Sequence, residues 1–192
     1  MADSRTEETL MAAYVAGDKR AFETLFQQLA PRIHGFFLRS FASSDVADDL
    51  LQITFYKVHR AREAFRAGSP LRPWLFAIAA RVRLDELRRR YHLAEDADEE
   101  ALARADEAMA MAGSGPADAN QKDVAEAVQR ALALLPESQR VVVHLHRFEG
   151  MTFPEVANVL GTTEGAVKLR AFRAYERLRK ELRNLLVEEE AA

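Results

Sequence analysis

Cysteine is absent from the 192 residues, which excludes a disulfide framework, a thiolate metal site and a cysteine nucleophile. No apolar run approaches the ~18 residues of a membrane span. The opening MADSRTEETL lacks the basic region and apolar core of a signal peptide, so the expected location is the cytoplasm. A Gly-rich phosphate loop, an HExxH helix and a nucleophile elbow are all missing. The five histidines are scattered. His144 and His146, two apart on a helix, point to different faces, whereas helical metal ligands need a spacing of three or four. No enzyme activity, metal or cofactor is expected. The composition, 48% hydrophobic and 30% charged, allows one ordinary domain or two small ones with modest cores.

The most informative stretch is Thr152 to Lys180, TFPEVANVLGTTEGAVKLRAFRAYERLRK. Thr152 and Glu155 have the spacing of a capping box, so a short helix should start at Phe153. Gly161 ends it, because glycine takes the left-handed conformation without steric cost, and Thr162 or Thr163 can cap the next helix. This is a helix-turn-helix pattern. In the second helix Val167, Ala171, Ala174 and Leu178 form a stripe that can pack on Val156, Ala157 and Leu160, while Lys168, Leu169, Phe172 and Arg173 point the other way. From Lys168 to Arg183 seven basic residues face two acids, a net of +5. That suits a helix laid in a DNA major groove; the alternative is a solvated basic surface.

The total charge of −3 hides a segregation along the chain. Residues 66–92 hold seven arginines against Asp85 and Glu86, net +5; residues 93–120 hold eight acids against Arg104, net −7. That acidic stretch closes with GSGPADAN and has no convincing apolar stripe, which marks a linker. The expected fold is therefore all-α: two small helical domains, 1–92 and 121–192, joined by an acidic linker over 93–120.

Within the first domain, residues 5–16 and 19–41 show helical apolar spacing, with Phe22, Leu25, Phe26, Leu29, Ile33, Phe36 and Phe37 on one stripe. Pro31 can kink or split the second helix. Ser43 or Ser44 caps a third, whose apolar arc includes Val46, Leu50, Phe55 and Val58. Its remaining arc carries Asp48, Asp49, Gln52 and Tyr56, with Ile53 at the border, and reads either as a wet face or as a docking face. RAGSPLRP is a loop, with Ser69 as cap and Pro70 as first residue of a helix that is apolar early and basic late. Phe65 and Arg66 in that loop, with the arginine-rich helix end, offer single-stranded nucleic acid an exposed ring and cations. In the second domain, Val124 to Leu135 is a helix ended by Pro136, and ESQRVVVHLHRF is a helix ended by Gly150.

With both halves read, the chain resembles a bacterial sigma factor of the extracytoplasmic-function group, the minimal form with only the second and fourth regions. LPESQRVVVHLHRFEGMTFPEVANVLGTTEGAVKLRAFRAYERLRKEL looks like the fourth region, DVADDLLQITFYKVHRA like the segment that grips the polymerase clamp helices, and PWLFAIAARVRLDELRRR like the segment that melts the downstream promoter element. The resemblance implies a factor that binds core RNA polymerase, directs promoter recognition and opening, and has no reaction of its own. It implies polymerase contacts at Asp48, Asp49, Gln52 and Ile53. Melted-strand contacts fall at Phe65, Arg66, Ser69, Arg81, Arg88 and Arg89, and upstream duplex contacts at Thr163, Lys168, Leu169, Arg170, Phe172 and Arg173. It also implies a linker threaded through polymerase and, often in this family, an anti-sigma partner. Ile53 stands where the family commonly has an acid, Arg81 where asparagine is frequent, and Leu169 where a small polar residue is usual. The rival reading is a stand-alone helix-turn-helix regulator, which would need a dimer interface and a palindromic site.

Overall fold

Short polar side chains open the first three helices of the N-terminal unit. Thr6 accepts the Thr9 N–H at 3.3 Å and starts α1 (Glu7–Val15). Asp18 accepts the N–H groups of Arg20 and Ala21 at 2.9 and 3.2 Å and starts α2 (Lys19–Phe41). These bonds, that from Ala21 foremost, hold its carboxyl below the ordinary range. Ser43 accepts the Val46 N–H at 3.4 Å and starts α3 (Ser44–Ala61), so Ser43 rather than Ser44 is the cap. Pro31 lies inside α2, which runs unbroken past it to a left-handed Ala42 at φ 53°.

The computed structural model describes residues 5–95 and 127–190. It divides the chain into two units, Met1–Leu93 and Ala94–Ala192. Every regular element among the described residues is helical, and none is long and apolar enough to cross a membrane.

Helix α4 (Leu71–Glu95) departs from expectation at both ends. Ser69 does not cap it. Its first N–H, on Leu71, donates to the Glu8 carboxylate at 3.2 Å, and Arg72 forks onto Glu7 at 2.7 to 3.1 Å. The acids of α1 thus satisfy a donor that a helix start leaves open. At its other end α4 continues to Glu95, through the first three residues of the expected linker. The rest of the linker lies outside the described residues. Leu29, Ile33, Phe36, Phe37, Leu75 and Phe76 are buried at the centre of this unit, each burial stabilising it by roughly 1.5–3 kcal/mol. Phe26, expected on the stripe, is instead exposed with its ring 4.8 Å from Phe55.

In the C-terminal unit residues 127–133 form α5. Pro136 precedes α6 (Glu137–Val143), which continues as a π-helical turn, His144–Phe148. Gly150 at φ 70° ends that turn and leads to α7 (Phe153–Leu160) and α8 (Glu164–Glu190). Arg140 donates to the carbonyls of Ala133 and Leu135 at 2.8 and 2.9 Å, closing the end of α5; burial pulls its pKa down. The π-helical turn sets His144 Nε2 3.3 Å from the Glu149 carboxylate, both side chains buried, while His146 lies 2.7 Å from the Met151 carbonyl and stacks on Phe153. Among the described residues no three metal-ligating side chains converge.

Candidate nucleic-acid interface

The α7–turn–α8 unit is held by local chemistry. Thr152 and Glu155 form a reciprocal capping box: the Thr152 N–H donates to the Glu155 carboxylate at 2.8 Å and its hydroxyl accepts the Glu155 N–H at 3.4 Å. Gly161 takes φ 61° at the end of α7, which a side chain would strain. Thr163 then caps α8 by accepting the Ala166 N–H at 3.2 Å. Val167, Ala171 and Ala174 are buried, as are Val156 and Ala157 of α7. Small side chains on both sides let the helices pack closely and fix the angle of α8.

The opposite side of α8 is therefore left to solvent. Lys168, Leu169, Phe172 and Arg173 are exposed, and Arg170 is half-exposed at the flank. Lys168 Nζ pairs with Glu164 at 2.7 Å, and Arg179 pairs with Glu176. Arg173 has no partner among the described residues. The six residues expected to meet duplex DNA are thus brought together on the cap and the N-terminal half of one helix.

The N-terminal cations are arranged differently. Phe65 is not an exposed ring: it is buried, edge-on to Trp74 with centroids 5.2 Å apart. The apolar ring gains more from the half-buried indole nine residues on than from solvent. Arg66 is exposed and Ser69 half-buried, on a turn closed by Ser69 N–H to Arg66 carbonyl at 3.1 Å, with Gly68 at φ 81°. Along α4, Arg81, Arg88 and Arg89 are exposed. Arg89 forks onto Glu86 at 2.7 and 2.8 Å, and Arg90 reaches the same carboxylate at 2.7 Å. Arg89 foremost holds the Glu86 carboxyl below its usual range. Arg83 is buried, its Nε 2.9 Å from Ser40 Oγ. Arg66, Arg81 and Arg88 are left with no partner among the described residues.

On α3 the four side chains Asp48, Asp49, Gln52 and Ile53 are all exposed, and Tyr56 extends the patch. Asp48 lies 3.4 Å from His34 Nε2 of α2. This face mixes carboxylates with two exposed apolar side chains, Ile53 and Tyr56.

Residues 25–93 match the model of Sigma-70 region 2, and residues 125–178 that of Sigma-70 region 4. The RNA polymerase sigma factor CarQ of Myxococcus xanthus is 35% identical over 181 residues, spanning 93% of this chain and 98% of that protein. The chain belongs to the extracytoplasmic-function sigma factors. The ECF RNA polymerase sigma factor SigM of Mycobacterium tuberculosis is 34% identical over 174 residues, 91% of this sigma factor and 83% of that one. Among solved structures, the sigma factor RpoE of Bartonella quintana, in complex with the anti-sigma factor NepR, aligns with a TM-score of 0.67 at 26% identity, covering 84% of this chain and 96% of that one. CnrH, in complex with the cytosolic domain of CnrY, aligns with a TM-score of 0.63 at 28% identity, over 93% and 97%. This protein is thus a sigma factor that directs transcription initiation.

Three features of the sigma factor escaped sequence reasoning. Tyr56 stands on the polar arc of α3 outside the four contacts that the resemblance implies, and is the most exposed apolar side chain there. Leu84 and Tyr91, seven residues apart on α4, are exposed beside Arg81 and Arg88; helical arithmetic alone would have put them on one face. The acids Glu7 and Glu8 position the start of α4, and no local pattern announces a partner more than sixty residues away.

Proposed function

We propose that this sigma factor joins core RNA polymerase through the exposed face of α3, with Asp48, Asp49, Gln52 and Ile53 as contacts and Tyr56 at their edge. The turn after α3 and the outer face of α4 then hold the separated promoter strand through Arg66, Ser69, Arg81, Arg88 and Arg89, with Phe65 anchoring that turn from below. Holding extruded bases offsets an unstacking cost of a few kcal/mol. Helix α8 lies in the major groove of the upstream duplex, contacting it through Thr163, Lys168, Leu169, Arg170, Phe172 and Arg173. Catalysis belongs to the polymerase, and the factor works in the cytoplasm, where an anti-sigma partner can compete for these surfaces.

The observation that carries this reading is the division of α8 into a packed stripe of Val167, Ala171 and Ala174 and an exposed face of opposite direction. Run-off transcription with core polymerase, on the DNA upstream of this chain's own gene, is the direct test. A gel shift with and without core distinguishes the stand-alone regulator, which would bind duplex DNA unaided. Combining Asp49→Arg with Gln52→Ala should weaken competition for core polymerase at unchanged helical content. If the double variant competes as well as the parent, the α3 face is only a wet one.

A further inference from the structure

The upstream face of α8 contains two large apolar side chains that the fold does not use. Leu169 is 49% exposed and Phe172 64% exposed. At ~100° per residue they lie within ~60° of each other, on the side of α8 opposite Val167, Ala171 and Ala174. Arg173 flanks Leu169 on one side and Lys168 flanks Phe172 on the other. One turn earlier on the same side stands Gly165, where a Cβ would meet nothing within 4 Å. Packing therefore does not demand glycine there, and its lack of a side chain leaves the helix room to approach a surface closely.

An apolar side chain cannot pair with a base edge that offers a donor or an acceptor, and would leave that edge unsatisfied on losing its water. The major groove displays one apolar group, the C5-methyl of thymine. We propose that the upstream element presents thymine methyls to Leu169 and Phe172, so that this part of the read is made by apolar contact while the flanking cations engage phosphates and guanine. The inference rests on α8 lying in the groove, and it names what α8 reads there.

The experiment uses holoenzyme assembled from the full chain and core polymerase. Duplexes randomised across the upstream element are selected for binding, and each selected thymine is then replaced by deoxyuridine, which differs only in lacking the methyl. Thymine should be selected at one or two neighbouring positions, and each deoxyuridine there should weaken binding about fourfold, the effect of one buried methyl-sized group. With Leu169→Ala, or Leu169→Ser as a second variant, one of these positions should stop distinguishing thymine from deoxyuridine. Equal binding of thymine and deoxyuridine at every position, or selection of no thymine, overturns the proposal provided Arg173→Ala still weakens binding. Should Arg173→Ala and Leu169→Ala both leave binding unchanged, the placement of α8 in the groove fails instead.

Discussion

Residues 66–92 and residues 168–183 carry the same net charge, +5, and use it in opposite ways. In the first stretch four of the seven arginines are engaged by other parts of the fold. Arg72 is forked onto Glu7 of α1, Arg83 is buried against Ser40 of α2, and Arg89 and Arg90 share the buried carboxylate of Glu86. In the second the pairs among the described residues are Lys168 with Glu164 and Arg179 with Glu176, one turn apart on the surface of the same helix. Exposed pairs of that kind are worth little and open readily. Equal charge therefore does not mean equal surface for nucleic acid. The difference arises because α4 turns Arg83 toward Ser40 of α2 and sets Arg89 and Arg90 on its own Glu86, whereas α8 turns its basic face away from its own core.

The largest effect that would break this comparison is expected at Arg83. Arg83→Ala should destabilise the N-terminal unit by about 2–4 kcal/mol, since it removes buried stem packing and leaves Ser40 without its donor. Trp74 is the chain's single tryptophan and lies in that unit, so its fluorescence in a urea titration reports the loss. An unchanged midpoint would mean that Arg83 is no more structural than the cations of α8. Next in size is Arg173→Ala, which should leave that midpoint in place. Promoter binding by the holoenzyme should weaken by ~1–3 kcal/mol if a bidentate base contact is lost, or lose about one charge from its salt dependence if the contact is to phosphate. Binding measured at two salt concentrations separates these outcomes, and no change at either would remove the contrast between the helices.

What could be read from the chain itself follows the same division. The helix-turn-helix was legible almost residue by residue, because its determinants are local: the Thr152–Glu155 box, Gly161, the Thr163 cap and the Val167–Ala171–Ala174 stripe all lie within a few turns of one another. The four exposed side chains of α3 were equally legible, as the remainder of an apolar arc. What failed depends on distant partners. Glu8 supplies the cap expected from Ser69, Trp74 buries the ring of Phe65, and Ser40 receives Arg83, 43 residues away. Periodicity states which face an arginine shares, but not whether a neighbouring helix covers that face.

A smaller effect is expected on acidification, where the depressed Asp18 is common to parent and variant and Glu86 makes the difference. Its folded carboxyl is depressed below 4.5, chiefly by the hydrogen bond from Arg89, so the stabilisation is complete above the unfolded value and is lost as pH falls through the lower folded one. The Trp74 midpoint should therefore fall more steeply with acid in the parent than in Glu86→Gln. Parallel acid profiles would show that Glu86 does not hold Arg89 and Arg90 in solution.

The smallest expected effect tests α8 against its own exception. Lys168 is self-neutralised by Glu164 at 2.7 Å, an arrangement that repeats in miniature what Glu86 does in α4. Two influences oppose each other when Glu164 is changed to glutamine. Removing an acid from the first turn of a helix costs about 0.3–1 kcal/mol of favourable dipole interaction. Releasing Lys168, and taking a negative charge away from a face that meets phosphate, favours the complex by a similar amount, ~0.2–1 kcal/mol for an exposed pair. The two effects act on different measurements. Folding stability of the C-terminal unit should drop slightly, while upstream duplex binding by the holoenzyme at low salt should strengthen about twofold to fivefold, and the gain should shrink as salt rises and screens the charge. Glu164→Gln binding no tighter than the parent at low salt would mean that Lys168 keeps its pair in the complex. Lys168 would then belong with the structural arginines of α4 rather than with the reading face of α8.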